Sequence, residues 1–206
     1  VLNLNFNDDT APVGVSDAVA QFDGTGGIEI DSSTAIDNTT VQQRTVTLSF
    51  VAEDVDARQV LFEEGGASRG LNVYIDGGKL HVGAWDRPAG FTGTFLSTAI
   101  TAGTSYSVTL ILDTTNTLST GALRGHLNGT PFASGSAQAI NQHASGTAVG
   151  AVNGKTRFHD GASATGADHG FVGLMDNLRI YNRAIDEDKI MSLFQLRLVD
   201  GFYGQF

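Results

Sequence analysis

Apolar and polar residues alternate along much of this chain in short runs separated by glycine-containing breaks. In residues 44–51, Val46, Leu48 and Phe50 fall on one face, and in 105–112 Tyr106, Val108, Leu110 and Leu112 do the same. A period of two over four to eight residues is the mark of a half-buried strand. Residues 70–76 and 79–85 flank Gly77-Gly78, and 123–128 and 130–132 flank Gly129 behind Asn128, so each pair predicts a hairpin. Breaks of this kind recur throughout, and they predict roughly 12–14 strands in two packed antiparallel sheets. One helical stretch stands out, residues 186–195, where Asp186 is placed to cap and Ile190, Leu193 and Phe194 share a face. The tail 196–206 is apolar enough to return as a final strand, or else it opens a linker.

One residue conflicts with its strand. In 173–182 the same alternation puts Asp176 among Leu174, Leu178 and Ile180. A carboxylate on an apolar face must be hydrogen-bonded, neutralised or bound to a cation, because burying it bare costs several kcal/mol or more. The segment runs from Gly173 through Asp176 to Arg179-Ile180-Tyr181-Asn182-Arg183-Ala184, followed by a short helix with Ile190. It resembles the closing signature of laminin-G-like domains of the concanavalin A-like jelly-roll superfamily. Leu4-Asn5-Phe6-Asn7-Asp8-Asp9-Thr10 and residues 21–30 resemble the opening signature. The resemblance implies an all-β, concanavalin A-like jelly-roll sandwich of two antiparallel sheets with one short helix near its C-terminal end. It also implies a calcium ion at Asp9, Gly24 and Asp176, brought together because first and last strands are neighbours in a jelly roll. Similar modules occur in large bacterial surface adhesins of the repeats-in-toxin type, so the resemblance implies an extracellular or cell-surface setting.

Composition narrows the function. The 206 residues suit one domain, 1–206, read as a monomeric module within a longer chain, and there is no cysteine to staple it. The formal charge of −10, with three lysines and nine scattered arginines, argues against nucleic acid as a partner. No run approaches the ~20 apolar residues of a membrane helix, so no membrane insertion is expected. An acidic excess does attract divalent cations.

Three constellations carry candidate chemistry. The polar loop 156–170 contains Arg157, His159, Asp160 and Asp168 within glycine-rich sequence. Its carboxylates and imidazoles suit either a cation, with Asp168 as a ligand, or hydrogen bonds to a polar ligand. Trp85-Asp86-Arg87 joins the chain's one tryptophan to an acid and a base. That composition suits a ring covering an apolar sugar face, and equally a tryptophan plugging the sandwich edge. His126 and Asn128 alternate with Arg124 as a polar strand face. His81 and His143 suggest no role. Paired carboxylates at glycosidase spacing are not found: Glu53, Asp54 and Asp56 sit at a strand end, and Glu63-Glu64 precedes Gly65-Gly66 as if in a turn. The expectation is a non-catalytic, calcium-dependent module binding carbohydrate, with a peptide-binding module or a structural spacer as alternatives.

Overall fold

The computed structural model describes residues 2–4, 19–115, 121–143, 146–166 and 168–199. Its strands are Leu2–Leu4 (β1), Ala20–Asp23 (β2), Ile28–Ile30 (β3), Gln43–Ala52 (β4), Gln59–Gly65 (β5), Arg69–Asp76 (β6), Lys79–Asp86 (β7) and Phe91–Ala99 (β8). They continue with Ser105–Asp113 (β9), Leu123–Leu127 (β10), Thr130–Gly135 (β11), Thr147–Val149 (β12), Lys155–Arg157 (β13), Ser163–Thr165 (β14) and Val172–Tyr181 (β15). A seven-stranded sheet has the order β1-β15-β4-β9-β10-β11, with β2 also on β15, and a six-stranded sheet the order β3-β12-β5-β6-β7-β8. All pairings are antiparallel. The two large sheets and, among the described residues, one α-helix make the jelly-roll sandwich that the resemblance implies. The strand count exceeds the expected range because part of the loop 156–170 pairs as a separate hairpin, β13–β14.

The inward faces follow the sequence period. Val46, Leu48 and Phe50 of β4 meet Leu71, Val73 and Ile75 of β6 and Leu80, Val82 and Ala84 of β7, all essentially inaccessible to solvent. At about 25 cal/mol per Å² of apolar surface removed from water, this core is the main driving force for the fold. The predicted hairpins form in register, with Asp76 opposite Lys79, and with Asn128 (φ 51°) and Gly129 (φ 77°) as the two left-handed corners of a tight turn.

Three expectations change. The helix (α1, Glu187–Val199) continues past residue 195, so 196–199 are helical rather than a returning strand. Leu196, Arg197 and Leu198 are good helix formers, with no glycine or proline until Gly201. α1 packs Ile190 and Leu193 on Ile111 and Tyr181, on the outer face of the larger sheet. Asp176 is not on the core face. A bulge lies between Asp176 and Arg179, with Asn177 at φ 56°, and it shifts the alternation so that Met175, Leu178 and Ile180 point inward. Asp176 lies on the opposite face, buried, and its carboxylate accepts hydrogen bonds from the backbone N–H (2.6 Å) and side-chain amide (2.7 Å) of Asn177. Third, Glu63 and Glu64 belong to β5 and are both fully buried, pointing to opposite sides of their sheet.

Glu64 points between the sheets, where it pairs with Arg44 of β4 at 3.1 Å; their side chains are 1% and 2% exposed. Arg44 also donates to the carbonyls of Ala35 and Ile36, and His143 Nε2 lies 3.7 Å from Glu64. Removing one member of such a pair strands the other charge, at a cost of about 3–5 kcal/mol, whereas replacing both with apolar groups is often close to neutral. Arg44→Met is therefore expected to lower unfolding free energy by about that amount, and Arg44→Met with Glu64→Leu to recover most of it. Urea denaturation of the three proteins checks this.

Candidate ligand-binding site

The outer face of the six-stranded sheet supplies the site. Alternation along β6 and β7 sends Asn72 and Tyr74, and His81 and Trp85, to this face, while their neighbours fill the core. The β13–β14 hairpin lies across it, held by an apolar patch of Val60, Tyr74, Val152, Phe158 and Ala164, with Phe95 at its edge. Asn72 fixes the hairpin by donating to Thr156 Oγ1 (3.1 Å) and to the carbonyl of Arg157 (2.7 Å).

Docking the hairpin brings His159 and Asp160 to Tyr74, Asp76, His81 and Arg58. Tyr74 Oη accepts the backbone N–H of His159 (2.9 Å) and lies 2.9 Å from its Nδ1. Which of the two donates in that contact is set by the tautomer of His159, and Asp76 Oδ2 lies 3.9 Å from the same ring nitrogen. The rings of Tyr74, His81 and His159 lie within 17° of parallel, with His81 4.6 Å from Tyr74 and 4.5 Å from His159. Burial, then His159, pushes His81 down to about 4, so it is neutral near pH 7. The side chain of His159 is 41% exposed, so this layer reaches solvent there.

Arg58 sits beside the rings. Its Nε and one terminal nitrogen donate to Asp76 Oδ2 (3.0 and 2.6 Å), the same nitrogen reaches Asp160 Oδ2 (2.8 Å), and its plane lies 4.3 Å from the Phe158 ring centre. Burial pulls the guanidinium down, but its hydrogen bonds to the carboxylates of Asp160 and Asp76, and their charges, outweigh it and its pKa ends above the ordinary value. Asp160 is held low by Arg58 and by the N–H of Ala162. The arrangement offers donors and acceptors side by side over an aromatic layer.

Of the residues named from sequence, this site unites His159 and Asp160. Arg157 is half-buried on the same hairpin. Trp85 is fully buried and cannot stack on a ligand: Phe95 lies 6.0 Å away, nearly parallel, and the indole N–H donates to the carbonyl of Gly66 (2.9 Å). Asp86 is likewise sealed, accepting the N–H of Asn141 (2.8 Å) with Arg69 Nε at 3.5 Å. Arg87 is exposed in the turn after β7, apart from the cluster. His126 lies on the other sheet, buried, 4.0 Å from Glu187, with burial pushing its pKa down. Asn128 Oδ1 caps the backbone N–H of Ser107 (2.8 Å).

Two members of the expected calcium set, Gly24 and Asp176, lie apart on their strands. Asp23 is opposite Val172 and Ala20 opposite Met175, which separates Gly24 from Asp176 by about five residues, or ~16 Å at the rise of a strand. Shared coordination at about 2.3–2.6 Å is impossible across that gap. Asp9 lies outside the described residues, and Asp168 is exposed. Among the described residues no three acidic, histidine or cysteine side chains are grouped to hold a metal.

Arg58, Tyr74, Asp76 and His81 are additions that sequence reading missed. The signal available was the polar side of the 70–85 hairpin, where Tyr74 and His81 are direct cross-strand partners.

No family model and no curated protein matches the sequence. Solved structures of similar fold include the CBM40 of the Ruminococcus gnavus IT-sialidase bound to α2,3-sialyllactose, at 17% identity and a TM-score of 0.56, covering 82% of this chain and 96% of that one. Domain 4 of AbnA, a GH43 extracellular arabinanase from Geobacillus stearothermophilus in complex with arabinotriose, is 18% identical with a TM-score of 0.60, over 94% and 87% of the two chains. A leech intramolecular trans-sialidase is 15% identical with a TM-score of 0.62 over 93% of this chain and 27% of that one. At these identities the likeness bears on the fold alone, a jelly-roll sandwich.

Beneath the hairpin lies Glu63, the cross-strand partner of Asn72. One carboxyl oxygen accepts the N–H of Asn153 (2.9 Å), and burial, which outweighs that bond, pushes its pKa up to about 9. A folded pKa above the unfolded one means stability is fully present below about pH 4.5 and is lost as pH rises toward 9. Glu63→Gln is expected to remove that slope, up to about 1.4 kcal/mol per pH unit, and to exceed wild type in stability at pH 8–9. Denaturation midpoints for both proteins across this range check it.

Proposed function

We propose that this chain is a non-catalytic carbohydrate-binding module of an extracellular bacterial protein, of the adhesin type that the terminal signatures resemble. The observation that carries the reading is the cluster at the β13–β14 hairpin: Arg58, His159, Asp76 and Asp160 held ready beside stacked rings, with His159 open to solvent. Sugar hydroxyls both donate and accept, and the cluster presents both functions. The similar folds crystallised with sialyllactose and arabinotriose support the class of ligand. Among the described residues no helix is long and apolar enough to cross a membrane, which is compatible with this setting.

Ligand binding in this proposal proceeds through these side chains. Calcium dependence is carried only as a proposal about stability, supported by the formal charge of −10 and by the buried carboxylate of Asp176. Melting in calcium and in chelator is expected to differ for wild type, because an ion that binds only the native state stabilises it, and to converge for Asp176→Asn. Equal wild-type curves would leave Asp176 held by protein donors alone.

Binding itself is tested by glycan array followed by calorimetry on the strongest hits. His159→Ala is expected to weaken binding at least tenfold, about 1.4 kcal/mol, with melting little changed. Normal binding by a folded His159→Ala would remove the hairpin cluster as the site.

A further inference from the structure

We propose that this site takes neutral sugars through their hydroxyl groups and turns away sugars that carry a carboxylate. The inference rests on the carbohydrate reading above and adds a ligand class to it. A guanidinium recognises a carboxylate through two parallel N–H groups on one edge. In Arg58 the edge formed by Nε and one terminal nitrogen is taken by Asp76 Oδ2. The second edge needs the same terminal nitrogen, and that nitrogen also donates to Asp160 Oδ2. One face of the plane is covered by Phe158. What remains is the other terminal nitrogen, which suits one or two hydroxyl oxygens and cannot clamp a carboxylate.

Charge points the same way. Asp76 and Asp160 together outnumber Arg58, and burial keeps His81 neutral near pH 7. Lys79, exposed across the hairpin turn from Asp76, balances that excess, but exposed Asp54 and Asp56 on the turn before Arg58 restore it. An approaching carboxylate therefore meets two like charges and no unpaired guanidinium edge. Moving Asp160 aside would also cost its bond to the N–H of Ala162 (2.9 Å). A pair of neutral hydroxyls meets none of these obstacles. It can accept from Arg58 and His159 and donate to the carboxylates.

The test compares neutral and sialylated members of one glycan array, with lactose, arabinotriose and sialyllactose titrated individually, on wild type and Asp160→Ala. Wild type is expected to bind a neutral glycan at least tenfold more tightly than its sialylated counterpart. Asp160→Ala, which frees an edge of Arg58 and removes a charge, is expected to narrow that ratio at least tenfold. Asp160→Asn replaces it if the alanine variant does not fold. Equal wild-type binding of sialylated and neutral glycans, or an unchanged ratio in a folded variant, overturns the selectivity and leaves the carbohydrate reading standing. Binding to no glycan of either kind overturns that reading, and the selectivity with it.

Discussion

The buried pair of Arg44 and Glu64 joins the two sheets at one end of the sandwich, and the surrounding segments are arranged by what that pair requires. Each ion leaves water at a cost of several kcal/mol, and their attraction repays this only when the remaining donors are also used. Arg44 uses the carbonyls of Ala35 and Ile36, which fixes the turn containing them against the sheet edge. Asp37, next along, accepts from Ser32 and Ser33, and its carbonyl takes the N–H of His143, whose ring faces Glu64. The pair also locks register. Sliding β4 by one residue would turn Arg44 to the outer face and reverse every core side chain with it.

A second constraint operates on the outer face of the smaller sheet. Alternation there places Asn72, Tyr74, His81 and Trp85 on the outer side of the sheet, groups with polar atoms that need partners and large rings that favour cover. At one end Trp85 is sealed by Phe95 and the carbonyl of Gly66. At the other end cover comes from the β13–β14 hairpin, whose His159 supplies both a backbone donor and a ring nitrogen to Tyr74. The same requirement thus has a closed solution and a half-open one. The half-open one is where chemistry remains available.

The strands were legible because a period of two survives wherever one face is buried, as in β4 and β9. That period misled at Asp176, where the extra residue of the bulge is invisible to a count that assumes unbroken alternation. Trp85-Asp86-Arg87 misled for another reason: a sugar platform and an internal latch share one composition, and only burial separates them. Glu63 and Glu64 looked like turn residues beside two glycines, yet a strand covered on both sides sends adjacent carboxylates into different compartments. Tyr74 and His81 were visible only as cross-strand partners on the polar side of a hairpin, and Arg58 and Asp76 gave no local signal of their own. They meet His159 and Asp160 through the docking of a hairpin some eighty to a hundred residues later in the chain.

Fixing Arg58 before any ligand arrives has two opposed consequences. An arginine left free would have to be ordered on binding, at roughly 0.5–1.5 kcal/mol for such a side chain, and here Asp76, Asp160 and Phe158 have already imposed that order. Yet every contact that orders it occupies an N–H or a face that a ligand would otherwise use. What the site gains in rigidity it loses in unspent hydrogen-bonding capacity. In the proposed role, discrimination comes from the groups those contacts leave, the terminal nitrogen of Arg58 that neither carboxylate takes and the exposed ring of His159, and from the fixed carboxylates beside them. Geometry and local charge, more than the strength of any single contact, decide what this face accepts.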